Sequence, residues 1–121
     1  MGAVVRIVNL TRASVLAERA GVADNMVSRF FGLMGKPGLA AGTGLLIVGD
    51  NAIHSFFMRF GFDACFVDRD NRVLFVLHAM KPWRASRFVR GGKSVLELPA
   101  GVLAATGTLV GDQLAVAEVA A

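Results

Sequence analysis

A single cysteine, Cys65, stands among 121 residues, which removes an internal disulfide and any zinc site built from several thiolates. Flanked by Ala64 and Phe66, it reads as a small buried hydrophobe. The chain also lacks an apolar run of the roughly 20 residues that a spanning helix needs. Asp68, Arg69, Asp70 and Arg72 separate Ala64–Val67 from Val73–Ala79, and the tail carries Asp112 and Glu118, so no transmembrane segment is expected. Met1–Arg6 has no basic stretch ahead of an apolar one, so no signal peptide is read there. Arg6 occupies the position where a myristoylation motif needs Ser or Thr. The default expectation is a soluble, cytoplasmic protein, unless a leader has been removed ahead of Met1-Gly2-Ala3.

Signatures of common chemistry are missing too. There is no Ser–His–Asp pattern, no GxSxG elbow and no P-loop, and Gly42-Thr43-Gly44 is too short for a phosphate cradle. Internal repeats and low-complexity tracts are absent. What is present is apolar material: 55% of the residues are hydrophobic and 18% charged, ample for one core and far from a disordered composition. One domain over residues 1–121 is expected. The net charge of +4 is mostly local, because Arg72, Lys81, Arg84, Arg87, Arg90 and Lys93 lie between Asp70 and Glu97 with no acid among them. Such a run is usually a solvated loop, but it can attract an anionic partner through Arg84, Arg87 and Arg90.

Short β-rich segments follow one another along the chain. Val4–Leu10 and Ser14–Ala20 read as paired strands around a turn at Thr11-Arg12. Asp24 or Asn25 can cap a helix over Met26–Met34, with Met26, Phe30, Leu33 and Met34 at helical spacing and a stop near Gly35-Lys36-Pro37-Gly38. Gly44–Val48 is a strand ahead of the Gly49-Asp50-Asn51 turn. Ile53–Phe60 reads as another, with His54, Phe56, Met58 and Phe60 on one face and Ile53, Ser55, Phe57 and Arg59 on the other. Phe62–Asp68 and Arg72–Met80 form the clearest hairpin, turned at Asp68-Arg69-Asp70-Asn71. A basic loop, Lys81–Lys93, leads to a strand at Ser94–Leu98, a small helix from Pro99 through Thr106, and a last strand at Gln113–Val119. The pattern predicts a mostly β, compact single domain: a β-sandwich or partly closed barrel with one or two short helices.

Several side chains could carry chemistry. His54 shares its predicted face with Met58, and imidazole with thioether suits Cu(I), with Met34, His78 and Met80 elsewhere in the chain. The plainer reading makes the methionines core fillers, and no metal site is assigned. Glu97 is a carboxylate inside Val95-Leu96-Glu97-Leu98-Pro99; if buried it needs a partner, for which Arg84 or Arg87 is a candidate. Asp63 and Asp68 flank Ala64–Val67, and Asp68 fits the hairpin turn. Trp83, beside Pro82, Arg84 and Arg87, makes the best exposed recognition patch. Lys81–Lys93 has only Trp83 and Phe88 among its five basic residues, which falls short of a repeated stacking platform and disfavours nucleic acid.

Taken together, three blocks resemble one known family. Ser28-Arg29-Phe30-Phe31-Gly32-Leu33-Met34 with Gly42-Thr43-Gly44-Leu45-Leu46 is similar to the opening of the domain of unknown function 192 family. Ile53-His54-Ser55-Phe56-Phe57-Met58-Arg59-Phe60 with Asp63, Phe66 and Asp68 resembles its central block. Val95-Leu96-Glu97-Leu98-Pro99-Ala100-Gly101 with Gly107 and Gly111-Asp112 resembles its C-terminal signature. The likeness runs from about Val5 to Leu114. It implies a compact β-rich fold with a short helix and says little of function, since the family is uncharacterised. Many members carry a signal or lipoprotein leader, absent here. Many also have Phe-Trp-Met-Lys-Asn-Thr in the central block, where this chain has Phe56-Phe57-Met58-Arg59-Phe60, so no role of that Asn-Thr pair transfers. Gly61 stands where a proline-like turn residue is common.

The leading expectation is a non-enzymatic binding or accessory domain for a small molecule or peptide, with no cofactor. Its pocket would lie near His54, Phe56, Met58, Trp83, Arg84 and Glu97. The alternative is a small hydrolase-like enzyme using Glu97 or Asp63 with His54. No catalytic residue is assigned.

Overall fold

The β-branched run at the N-terminus pairs with its neighbour as its composition predicts: β1 (Val4–Asn9) lies antiparallel to β2 (Ser14–Ala23). After α1 (Met26–Phe31) come β3 (Thr43–Val48), β4 (Phe62–Val67), β5 (Val73–Met80), β6 (Ser94–Pro99), α2 (Val102–Thr106) and β7 (Leu114–Glu118). This is a computed structural model that describes residues 3–119, apart from the side chains of Val27, Phe30 and Phe31. The Phe30 part of the predicted helical stripe therefore lies outside the described residues.

The seven strands form one sheet in the order β5-β4-β6-β3-β2-β1-β7. Every pairing is antiparallel except β2 with β3, and that parallel pair needs the long crossover that α1 and residues 32–42 supply. The sheet curls until its two edges meet at one end. Arg72 bridges Gln113, Val73 N–H donates to the Asp112 carbonyl, and Leu114 N–H donates to the Asn71 carbonyl. The result is a mostly β, partly closed barrel.

Strand alternation divides the core into two faces. Cys65, Val67, Leu96 and Leu98 point to the concave side with Val5, Ile7, Leu16 and Leu114, where Leu103 of α2 packs as well. Phe62, Ala64, Phe66 and Val95 point to the other side, which Leu33, Ile53, Met58 and Val89 cover from the loops. β4 is thus buried along its whole length. Gly44 permits the close fit of β3 on β6, because a Cβ there would stand 2.9 Å from the Glu97 carbonyl oxygen. That accounts for Gly44 as a packing residue.

Three sequence expectations need correction. Ile53–Phe60 is no strand; it is a covering loop with one isolated bridge, His54 to Ala85. Its in–out alternation holds from Ile53 to Phe56 and then breaks, because Phe57 adopts a left-handed φ of +64° and Phe56 and Phe57 both become exposed. Helix α1 ends at Phe31, capped by Gly32 with a φ of +45°, three residues short of the expected Met34; Asn25 and Ser28 form a reciprocal cap at its start. Pro99 ends β6, and α2 begins at Val102.

Candidate functional site

Glu97 sits on β6 between Ala64 of β4 and Leu45 of β3, on the face away from the barrel interior. Only 3% of it is exposed. Burial strips the carboxylate of water and pushes its pKa up from an ordinary 4.5 to about 8. Its side chain accepts no hydrogen bond among the described residues, and neither Arg84 nor Arg87 reaches it. Arg84 Nη1 instead lies 3.3 Å from the Trp83 carbonyl, and the Arg87 guanidinium stands over the Phe75 ring at 5.1 Å. No described side-chain N or O that is sealed from solvent lacks a partner. The Glu97 oxygens therefore keep contact with the cleft they line.

That cleft, about 50 Å³, lies between β6, the end of α1 and the covering loop. Arg29, Asp50, His54, Met34 and Met58 line it with Glu97. Arg29 is held by its Nη1 donating to the Val48 carbonyl at 3.0 Å. It also lies against Gly49, where a Cβ would be 2.7 Å from Nη1. His54 accepts from the Phe56 N–H through Nδ1 at 3.2 Å, which puts the proton of the neutral ring on Nε2. The Met34 and Met58 thioethers with the His54 imidazole are the soft donors that could hold Cu(I). His78 and Met80 are not part of that set, being exposed on β5 and buried in the core respectively. Among the described residues no group of three or more His, Cys, Asp and Glu could hold a metal ion.

Of the predicted ligand residues, His54, Met58 and Glu97 share this cleft. Phe56 and Trp83 stand outside it as an exposed aromatic group that touches it through His54. Phe56 stacks on His54 at 5.2 Å, Trp83 lies 6.1 Å from Phe56, and Phe57 packs on Trp83 at 4.7 Å. Arg84 is exposed beside them.

Asp63 is not brought to His54. It points to the barrel interior and accepts three backbone N–H groups, from Ala79 at 2.8 Å, Gly101 at 3.1 Å and Leu103 at 2.9 Å. Its job is to tie α2 to β5. Asp68 turns the hairpin as expected, accepting from the Asp70 and Arg72 N–H groups. Cys65 is buried, and burial together with the Asp112 charge pushes its thiol up to about 12, so it is inert.

Two residues escaped sequence reasoning. Ser55 is fully buried and ties the covering loop to the basic loop. Its Oγ accepts from Arg84 N–H at 2.8 Å and lies 2.5 Å from the Lys81 carbonyl, which accepts from it, while its own carbonyl accepts from Trp83 N–H at 2.8 Å. A serine between His54 and Phe56 offers no signal for this. Arg29 lies within the family-like block, but its place over Gly49 depends on the crossover. A larger hollow of about 320 Å³ lies at the β1–β2 turn, lined by Val8, Asn9, Leu10, Ala13, Ser14 and Val15. Its Asn9 amide is already spent on Thr108 and Asp112, so the smaller cleft, with its unpaired acid, is the better site.

Comparison with known proteins follows the same line. The family model DUF192, an uncharacterized ACR, matches residues 7–116. A UPF0127 protein of Pyrococcus furiosus is 35% identical over 109 residues, 88% of this chain and 93% of that protein. A solved protein of unknown function from Novosphingobium aromaticivorans superposes with a TM-score of 0.77 at 20% identity, over 93% of this chain and 83% of that one. A candidate transcription regulator from Sinorhizobium meliloti gives a TM-score of 0.79 at 21% identity, over 95% and 93%. At those identities the two structures speak for the fold alone.

Proposed function

The chain belongs to the DUF192 family, and from that premise we propose that it is a non-enzymatic binding domain taking a small polar ligand, or the end of a peptide, in the Glu97 cleft. The observation that carries this reading is the Glu97 carboxyl: buried, without a hydrogen-bond partner among the described residues, and facing a cavity. Leaving such a group unpaired is costly, and a ligand that hydrogen-bonds to it recovers the cost. A carboxyl with a pKa near 8 keeps its proton near neutrality. It can therefore donate to a ligand carbonyl or hydroxyl, and a cationic ligand would draw the proton off. Arg29, Asp50 and His54 offer further polar contacts around an otherwise apolar wall, the usual make-up of a small-ligand site.

The hydrolase-like alternative rests on the same Glu97 and on His54, with Asp63 removed from it by its three backbone bonds. It lacks a nucleophilic side chain, since no Ser, Thr or Cys lines the cleft among the described residues. It would have to activate a water.

Thermal melting against a panel of amino acids, alkylamines, neutral sugars and Cu(I) tests both readings. The expected result is that a panel member raises the melting temperature of the wild type and loses that effect in Glu97→Gln. Stabilisation that survives Glu97→Gln, or no stabilisation anywhere in the panel, defeats the binding reading. A compound consumed during incubation would move the assignment to the enzyme.

A further inference from the structure

The Phe56-Phe57 turn and the Pro82-Trp83 bend carry aromatic side chains into solvent at the Met80 end of β5. Phe56 is 41% exposed, Phe57 59% and Trp83 56%. Phe57 and Trp83 both hold left-handed backbones, with φ of +64° and +62°. Bulky side chains rarely adopt that region, and it persists only where the surroundings impose it. Here Ser55 imposes it, through its bonds to Trp83, Arg84 and Lys81. The fold thus bears strain to keep large apolar rings outside the core.

The charged residues next to those rings in the chain are all basic. Arg59 is two residues from Phe57, Lys81 is two from Trp83, and Arg84 adjoins it, and all three are exposed. Asp63 and Glu97 are buried, Asp50 is half-buried in the cleft with His54, and Asp68 and Asp70 lie beyond the far end of β5, roughly 25 Å away at the usual rise per strand residue. We propose that this aromatic knob with its basic rim docks the protein on an anionic membrane surface.

Aromatic rings settle at the level of lipid headgroups while neighbouring cations meet anionic phosphates, so knob and rim match the two layers of a bilayer interface. A second copy of the chain fits worse, because a symmetric pairing of this face would set the two basic rims against each other. Nucleic acid also fits worse. Bases need separate ring faces to stack on, whereas Trp83 packs against both Phe57 and Phe56, leaving one continuous apolar surface. The inference does not depend on what the Glu97 cleft binds.

Trp83 is the chain's one tryptophan, so its fluorescence reports this surface alone. Adding phosphatidylcholine vesicles containing phosphatidylglycerol should blue-shift the emission, carry the protein into the vesicle pellet, and do so less as salt rises. Vesicles of phosphatidylcholine alone should do much less. Phe57→Ala with Trp83→Ala should weaken sedimentation roughly tenfold or more, from the lost apolar burial. Lys81→Glu with Arg84→Glu leaves the rings in place and should weaken it about fivefold or more per reversed charge. An unshifted Trp83 emission and an empty pellet with both vesicle types would overturn the proposal. So would equal binding to neutral and anionic vesicles, or a Trp83 response to a single-stranded oligonucleotide without one to vesicles.

Discussion

Two carboxylates that lie one strand apart have opposite fates, and the difference sets what each can do. Asp63 is saturated by backbone N–H groups; Glu97, on the opposite face, has no such donor among the described residues. Their sequence contexts already marked both, an acid in an apolar run in each case. Which one would be satisfied was not legible, because the donors to Asp63 come from β5 and the start of α2, placed by the tertiary path. The raised pKa of Glu97 makes a stability prediction. Its carboxyl holds a proton more tightly folded than unfolded, so its contribution to stability is fully present below pH 4.5 and is lost as the pH rises through about 8. Arg29, Asp50 and His54 also face the cleft, so the comparison has to be with Glu97→Gln. The difference in melting temperature between Glu97→Gln and the wild type should grow in favour of the variant from pH 5 to pH 8. A difference that stays flat with pH would mean that Glu97 is already ionised in the folded protein.

Elements with local causes were readable. The β4–β5 hairpin follows from Asp68 and Asn71 at its turn, and α1 starts where Asn25 caps it. The covering loop was not readable, since Ile53–Phe60 alternates as a strand does until Phe57. What overrides the alternation is Ser55, which substitutes side-chain bonds to the 81–84 bend for a regular ladder. Ser55→Ala strips the hydroxyl from two buried backbone partners and should cost about 1–3 kcal/mol of stability by denaturant titration. It should also free Trp83 from Phe57, seen as lost near-ultraviolet circular dichroism. Gly44 gives a second test at this scale. Gly44→Ala drives a Cβ into the β6 backbone and should destabilise the fold by about 1–3 kcal/mol, the usual cost of overpacking. A melting temperature equal to the wild type would show that β3 can move off β6.

Across the whole molecule, barrel closure depends on contacts about 40 residues apart in sequence between the β5 and β7 edges, which is why composition could offer both a sandwich and a partly closed barrel. Asp112 anchors the segment that closes it, its carbonyl accepting from the Val73 N–H while its side chain fixes that segment against the β1–β2 turn. It takes hydrogen bonds from the Asn9 amide at 2.9 Å and the Leu109 N–H at 3.0 Å, and a two-pronged contact from the Arg12 guanidinium at 3.0 and 3.2 Å. The Arg12 hydrogen bond is the chief reason its pKa drops from 3.8 to about 2; the Asn9 and Leu109 bonds and the Arg12 charge add to it, and burial works against them. The stabilisation is therefore complete above pH 3.8 and lost as the pH falls through about 2. Arg12 is 39% exposed, so salt should weaken the ionic part while leaving the buried Asn9 contact intact. Asp112→Ala strands the Asn9 amide and the Leu109 N–H and should cost about 2 kcal/mol. The sharper test is pH: between pH 4 and 2 the wild type should lose more stability than Asp112→Ala, because only the wild type has this carboxylate to protonate. Hydrogen exchange should show the same event locally. The amides of Val73 and Leu114, which join the two sheet edges, should lose protection at acid pH before those of β4 and β6. If all of these amides open together, closure is not a separable step, and the barrel and its core unfold as one unit.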